Sequence, residues 1–438
     1  MGKLYTEVDK CRVCSSALVP VLDLGEQYIV DFVPRPGDDF PKAPLMLMRC
    51  QTCELVQLSV SVDKDTLYKK FWYRSGINEQ MRKALETVVA RATSVAYVGA
   101  GDSVLDIGSN DGTLLGWYPG EVTTVGIDPC EGLMKEALRQ RKIDIGLNDY
   151  FSLAAVQPHA PYKVITAVAM FYDVDDPVGF LKDCKEVLKT DGVIIIQMNY
   201  LPAMIKNCAV DNIEHEHLTY FSMHTLKVAA DKAGLECVGA ETNDVNGGSF
   251  RVYLTHKDSN LYGISNEKQA ELFINMMGLI HEEQKMELDK PQTYIKFGVE
   301  VMARCKALQK YLTKEAELGA KIYIYGASTR GTVLMQLLNL SDGVILGAAE
   351  RDSLKFGLHM MGCTWPKIYP EAYVRDKATH MLLLPWHFLD SVWSREVDWL
   401  KKGGKLIVPL PDPRVLTING ESQSIMKWAT SRQAEVVA

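Results

Sequence analysis

From residue 103 onward, short apolar runs alternate with longer amphipathic stretches. Ser103–Ile107, Val122–Ile127, Val164–Ala169 and Val193–Met198 are almost continuous in apolar and β-branched residues, as parallel strands buried on both faces are. Pro177 to Lys189 predicts a helix that stops at Asp191-Gly192, and Thr113 to Tyr118 predicts the start of another. Upstream, Met81, Leu85, Val88 and Val89 fall on one face of a helix over 75–97. Phe250–Leu254 predicts one more short strand, and residues 264–318 predict helices interrupted at Pro291. A second strand–helix alternation then begins, with strands at Lys321–Tyr325, Val344–Ala348, Met381–Leu384 and Lys405–Val408. The fold class is α/β. A module over 1–70 precedes a doubly wound, Rossmann-like domain over 71–260, a helical linker over 261–318 and a second Rossmann-like domain over 319–415. The polar tail, 416–438, reads as peripheral.

The first 70 residues are rich in turns, with Val33 to Phe40 as an insertion loop. They carry Cys11, Cys14, Cys50 and Cys53 in the spacing C-x2-C-x35-C-x2-C. Two such knuckles build a closed tetrahedral site for structural Zn2+, and four thiolates leave no position for a catalytic water. Four reduced core cysteines would not need two tight pairs on turn-like sequence. The other six cysteines, Cys130, Cys184, Cys208, Cys237, Cys305 and Cys363, are scattered, as buried thiols in a reducing compartment are. Net charge is −7 over 438 residues, without blocks of like charge, which argues against a nucleic-acid groove or a polybasic membrane patch. The N-terminus lacks an apolar signal core, and no apolar run reaches membrane-spanning length. The expectation is a cytoplasmic enzyme with a small-molecule substrate.

The turn after the first strand of the central domain is Asp106-Ile-Gly108-Ser-Asn110-Asp-Gly112. Asn110 stands where a dinucleotide fingerprint needs its second glycine for pyrophosphate approach, which argues against a dehydrogenase. A leading carboxylate suits the ammonium of an amino acid better than a phosphate. The second strand ends in Asp128, placed to accept ribose hydroxyls or to cap the next helix. Together these residues predict S-adenosylmethionine (SAM), held by Asp106, Gly108, Asn110, Gly112 and Asp128, with Asp149 and Phe151 near the adenine.

Tyr200 lies at the carboxyl end of the strand Val193–Met198, the edge where such sheets bind ligands. Beyond it comes Glu214-His215-Glu216-His217. If this stretch is extended, both imidazoles share one face. The pair suits a metal or a general base, and a charged surface loop is an even alternative. Methyl transfer to carbon needs a base and no metal.

Taken together, the cysteine module, DIGSNDG, H-E-H-L-x-Y-F-S, Asn246-Gly-Gly-Ser249-Phe-Arg251 and Tyr325-Gly-Ala-Ser-Thr-Arg330-Gly331 resemble the three-domain nucleotide-sugar C-methyltransferases. The prototypes methylate C3 of a TDP-4-keto-deoxysugar. The resemblance implies His217 as the base that forms an enolate, Glu216 as its partner and Tyr73 as a residue approaching the sugar. It implies substrate contacts from Tyr200, Asn246, Ser249 and Arg251. Arg330 and the amides of its turn would contribute to nucleotide-sugar binding, against the alternative of a tight turn with no ligand. The chain departs from the family at Asp173, Glu214 and Asn246, where His, Tyr and His are frequent. These positions lie near the expected substrate, so O- or N-methylation of a modified sugar or secondary metabolite, or a non-catalytic SAM-fold scaffold, remains open at this level.

Overall fold

The computed structural model describes residues 4–37, 40–69, 72–259, 264–362, 364–420 and 422–437, with side chains to 431. Asp38 and Asp39 of the insertion loop, the expected boundaries at 70–71 and 260–261, and Cys363 lie outside the described residues. By internal contacts the chain forms two units. The first comprises Met1–Pro20, Met48–Pro202 and Glu216–Asp289; the second comprises Val21–Leu47, Ala203–His215 and Lys290–Ala438.

The first unit holds a seven-stranded sheet. Its strands are β1 (Ser103–Ile107), β2 (Thr123–Ile127), β3 (Ile145–Leu147), β4 (Tyr162–Val168), β5 (Leu188–Asn199), β6 (Leu235–Asn243) and β7 (Ser249–His256). Their order is β3-β2-β1-β4-β5-β7-β6. The strands β3 through β5 in this order pair in parallel, and β7 runs antiparallel to both β5 and β6. The order reverses between β1 and β4, which opens a crevice at their carboxyl ends. Helix α1 (Glu79–Ala96) buries Met81, Leu85, Val88 and Val89 as its periodicity requires. The expected helix at Thr113 is reduced to a single 3-10 turn, Leu115–Trp117. Gly116 weakens a helix there and Pro119 ends it. Helices α2 (Glu131–Arg139), α3 (Pro177–Val187) and α4 (Met223–Ala233) complete the crossovers.

The expected linker divides between the units at Pro291. Helix α5 (Asn266–Lys285) belongs to the first, where buried Glu283 accepts the amides of Met223 and His224 at the start of α4. Helix α6 (Pro291–Glu317) belongs to the second and starts with its proline at the first helical position, where no intrahelical donor is lost.

In the second unit, β8 (Ile322–Tyr325), β9 (Ala348–Glu350), β10 (Ile368–Pro370), β11 (His380–Leu383) and β12 (Lys405–Val408) are parallel. Strands β13 (Arg414–Leu416) and β14 (Ser422–Ser424) extend the sheet antiparallel. Val344 and Ile345 are buried, but Leu346 is exposed and the ladder begins only at Ala348. The tail is not peripheral. It supplies β14 and then a helix, α9, over Ile425–Val437, after α7 (Thr329–Leu338) and α8 (Leu389–Lys401). The Trp428 ring of α9 meets Tyr311 of α6 edge-on at 5.1 Å. Residues 21–47 also belong here: Phe32–Val33 pairs with His359–Met360, and Tyr28 packs on Trp365.

The four cysteines of the knuckles come together in the first unit. Their Sγ atoms all lie within 4.8 Å of one another, the only such metal-binding group among the described residues. Cys11 and Cys53 approach to 3.4 Å, and Cys14 and Cys50 to 3.3 Å. The knuckles share one backbone solution, since the residue after each pair, Ser15 and Glu54, is left-handed at φ 58° and 67°. Amides of Val13, Thr52 and Cys53 point at Sγ of Cys11 or Cys50. Four convergent thiols with amide donors to sulfur fit Zn2+ held as tetrathiolate. No helix among the described residues is long and apolar enough to cross a membrane.

Metal binding at such a site is coupled to folding. Replacing Cys50 with Ser should lower zinc content and melting temperature together, by mass spectrometry and calorimetry. Unchanged melting of a zinc-free variant would contradict the assignment.

Candidate active site

The carboxyl ends of β1 and β2 carry the expected cofactor residues. Gly108, Asn110 and Gly112 adopt positive φ of 70°, 52° and 73°. Asparagine tolerates this region better than other side chains do, so the turn survives loss of its middle glycine. The amide of Asn110 is thereby delivered to Asp128 Oδ2 at 2.9 Å, while Cys130 N donates to Oδ1 at 2.8 Å. Asp128 thus ties the turn to the start of α2. Each oxygen keeps a second lone pair for a ribose hydroxyl.

Asp106 is fully enclosed and accepts from Thr166 Oγ1 at 2.6 Å. Burial, reinforced by the Asp128 charge, pushes its carboxyl up to about 7 despite that hydrogen bond. Burial also raises Asp128, with the two amides opposing the shift. The crevice therefore presents two carboxylates short of water. It is complementary to a cation, such as the ammonium of SAM, and ill suited to a pyrophosphate.

Asn110 and Asp111 have a second task that sequence reasoning missed for Asp111. Asn110 Nδ2 donates to Tyr73 O at 3.0 Å, Ser75 N donates to Asn110 Oδ1 at 3.1 Å, and Gly76 N donates to Asp111 Oδ2 at 2.9 Å. The Tyr73 segment is thus laid on the cofactor turn; the residue as a whole is 41% exposed, and burial of its phenol pushes the pKa up. Gly76 allows this contact, because a Cβ there would stand 2.6 Å from Asp111 Oδ2. Asp149, by contrast, is exposed and accepts its neighbour Tyr150 N. Phe151 packs against Phe180 at 4.7 Å, within a row that continues to Phe171.

The histidine cluster is not extended. Residues 215–216 form a turn, so the extended alternation that would put both imidazoles on one face is absent. His215 belongs to the second unit, where its Nε2 meets Ala43 O at 3.1 Å and burial lowers its pKa. His217 belongs to the first unit, 7% exposed, with its ring 4.2 Å from that of Tyr172. Glu216 beside it is 8% exposed, and its carbonyl accepts from Tyr68 Oη at 2.9 Å. Tyr172 lies in the 3-10 turn Phe171–Asp173 just beyond the carboxyl end of β4, which pairs in parallel with β1, so His217 lies toward the same edge as the cofactor turn.

Several residues expected at the substrate have partners within the chain. Arg251 sits in β7 between Gln197 of β5 and Glu241 of β6, and bonds both, at 2.9 and 2.8 Å, as well as Thr87. It is buried between strands and not held out to a ligand. The Tyr200 hydroxyl is committed to Glu283 at 2.7 Å. Ser249 Oγ closes its own turn on Val245 O, where Asn246 takes φ 55°. In the second unit, Arg330 pairs with Asp211 at 2.8 Å, and Trp386 Nε1 donates to the same oxygen. The N-cap Ser328 takes the Gly331 amide that was expected to face a diphosphate.

The raised Asp106 acid has a consequence for stability. Its folded value lies above the unfolded one, so its contribution is full below about pH 4 and is lost as pH rises to about 7. Asp106→Asn should remove that decline, on the order of a few kcal/mol, and melt higher than the parent at pH 8 without ligand. The same variant should show a smaller thermal shift with S-adenosylhomocysteine. Parallel melting curves from pH 4.5 to 8 would contradict this.

Three family profiles match in sequence order. "Putative zinc binding domain" covers 11–68, "Methyltransferase domain" covers 77–240 and "C-methyltransferase C-terminal domain" covers 244–411. The C-methyltransferase NovU of Streptomyces niveus is 26% identical over 431 residues, spanning 95% of this chain and 99% of that protein. The ubiquinone biosynthesis O-methyltransferase of Nitrosospira multiformis is 28% identical over 183 residues, 37% of this chain and 74% of its own. Among solved structures, magnesium protoporphyrin IX methyltransferase from Synechocystis PCC 6803 aligns at 12% identity and a TM-score of 0.33, over 42% of this chain and 90% of that one. With all three profiles in one chain and a relative that matches nearly from end to end, the protein is a SAM-dependent methyltransferase that carries the zinc-binding and C-terminal domain profiles of the C-methyltransferases.

Proposed function

We propose that the protein methylates carbon, at C3, of a nucleotide-linked keto-deoxysugar through an enolate formed by His217. One observation carries this reading. A buried imidazole stands at the carboxyl edge of the sheet that bears the cofactor turn, on the loop after that edge, in a chain that matches a C-methyltransferase over 95% of its length.

SAM, when bound, supplies an electrophilic methyl group. Asp106, Asp128 and the Gly108–Gly112 turn hold it. The chain's remaining chemical task is to make a carbon nucleophile. His217 takes the proton from the carbon beside the ketone, and the electron pair of that bond moves toward the carbonyl oxygen. The step requires a neutral imidazole. Glu216 is its neighbour in the chain and its partner in orienting or relaying the proton. Tyr73, held over the cofactor turn by Asn110, is the donor offered to the enolate oxygen. Arg251 has no part in this step, because Glu241 and Gln197 occupy its guanidinium. Such a step belongs to deoxysugar assembly for natural products or polysaccharides.

A positioned base contributes about 10²–10⁴-fold. His217→Ala should cut turnover by that order and leave S-adenosylhomocysteine affinity within about twofold. It should also stop solvent deuterium from entering C3 in the absence of methyl donor. Exchange at the parent rate would place the base elsewhere, with Glu216 next.

A further inference from the structure

Gln57 has no place in cofactor binding or proton transfer, yet it is 0% exposed. A buried primary amide needs partners. Its Oε1 accepts from Arg12 N at 2.9 Å, and its Nε2 donates to Lys10 O at 3.2 Å. Those two backbone groups lie on either side of Cys11, so one side chain clasps the first knuckle across its leading ligand. The backbone of Gln57 faces the other way. It pairs antiparallel with Thr219, and Leu58 N donates to Leu218 O at 2.9 Å. Thr219 is two residues beyond His217.

Arg12, inside the same knuckle, makes a second tie. Its guanidinium donates to Asp175 Oδ1 at 2.7 Å and to Ser61 Oγ at 2.9 Å, and Ser61 also donates to Asp175. Asp175 is three residues beyond Tyr172, whose ring lies against His217. The Thr219 hydroxyl closes the circuit on Tyr172 O at 3.1 Å. The backbone on both sides of the His217–Tyr172 contact is therefore anchored to residues flanking one zinc ligand.

We propose that Gln57 and Arg12 are positioning residues through which the metal-bound first knuckle fixes the backbone of 217–220 and the Tyr172 loop, and so sets the place of the His217 imidazole. The catalytic half of this statement rests on His217 as the base; the mechanical half does not. Removing the clasp takes the Gln57 amide from Lys10 O and Arg12 N, both in half-buried hydrogen bonds, while all four thiolates remain.

The test uses the full zinc-loaded chain. Gln57→Leu keeps the volume and loses the amide; Arg12→Met breaks the second tie and stands in should the first variant fail to fold. Amide hydrogen exchange is followed in a peptide covering 213–222, with a peptide covering 104–114 as the internal reference. Each variant should retain its zinc and bind S-adenosylhomocysteine within about twofold of the parent. Exchange over 213–222 should quicken about tenfold, since a lost buried hydrogen bond is worth about a factor of ten in local opening. On the keto-sugar substrate kcat should fall about tenfold or more, with KM within about threefold. Unchanged exchange over 213–222 in both zinc-loaded variants would overturn the inference. Equal acceleration in both peptides would also overturn it, since that marks general destabilisation. Faster exchange with parental turnover would uphold the coupling and remove His217 as base.

Discussion

Negative charge without water is the constraint around which the first unit is arranged. Asp106 and Asp128 end adjacent parallel strands, and both are enclosed. Unpaired, such groups would be costly, so the surroundings supply donors: Thr166 Oγ1 to one, the amides of Asn110 and Cys130 to the other. The left-handed turn at 108–112 aims one of those amides. Its side chains then reach outward and hold the Tyr73 segment through Asn110 and Asp111. One electrostatic requirement thus accounts for the cofactor turn, for the asparagine at its middle position and for the placing of the Tyr73 segment. A cationic ligand relieves the remaining charge.

Much of this was legible in the chain. Continuous β-branched runs announce buried parallel strands, and β1, β2, β4 and β5 lie where those runs are. Strand β6 escaped notice because Glu236, Glu241 and Gly239 break its apolar pattern, as suits a strand at the edge of a sheet. The tail looked polar, but Ile425 is fully buried and Trp428 packs on a helix far away in sequence. At the site, the knuckles and the acidic strand ends are encoded locally, by spacing and by position after a strand. The partners of Arg251 and Tyr200 were not legible, for the opposite reason. A sequence displays an arginine or a phenol but not its partner, and Glu241 and Glu283 become partners only through strand pairing and helix packing. The missing alternation at His215 and His217 likewise depends on a turn whose residues carry no glycine or proline signal.

The zinc module belongs to the same mechanical system. Its four thiolates build two knuckles, but a knuckle alone does no chemistry. What connects it to the sheet's carboxyl edge is the short ladder between Val56–Leu58 and Thr219–Tyr220, with Gln57 bonding the backbone on either side of Cys11 and pairing with Thr219, two residues beyond His217. A module that reads as a separate fold element in sequence is thereby hydrogen-bonded to the segment that follows His217.

The central claim is that the methyl group goes to carbon. Its most direct measurement is isotopic: SAM labelled with carbon-13 in its methyl group is turned over with a nucleotide-linked 4-keto-deoxysugar labelled in its ring. The account predicts a one-bond carbon–carbon coupling between the methyl and ring C3 in the product spectrum. A labelled methyl group on oxygen or nitrogen, without that coupling, would contradict it.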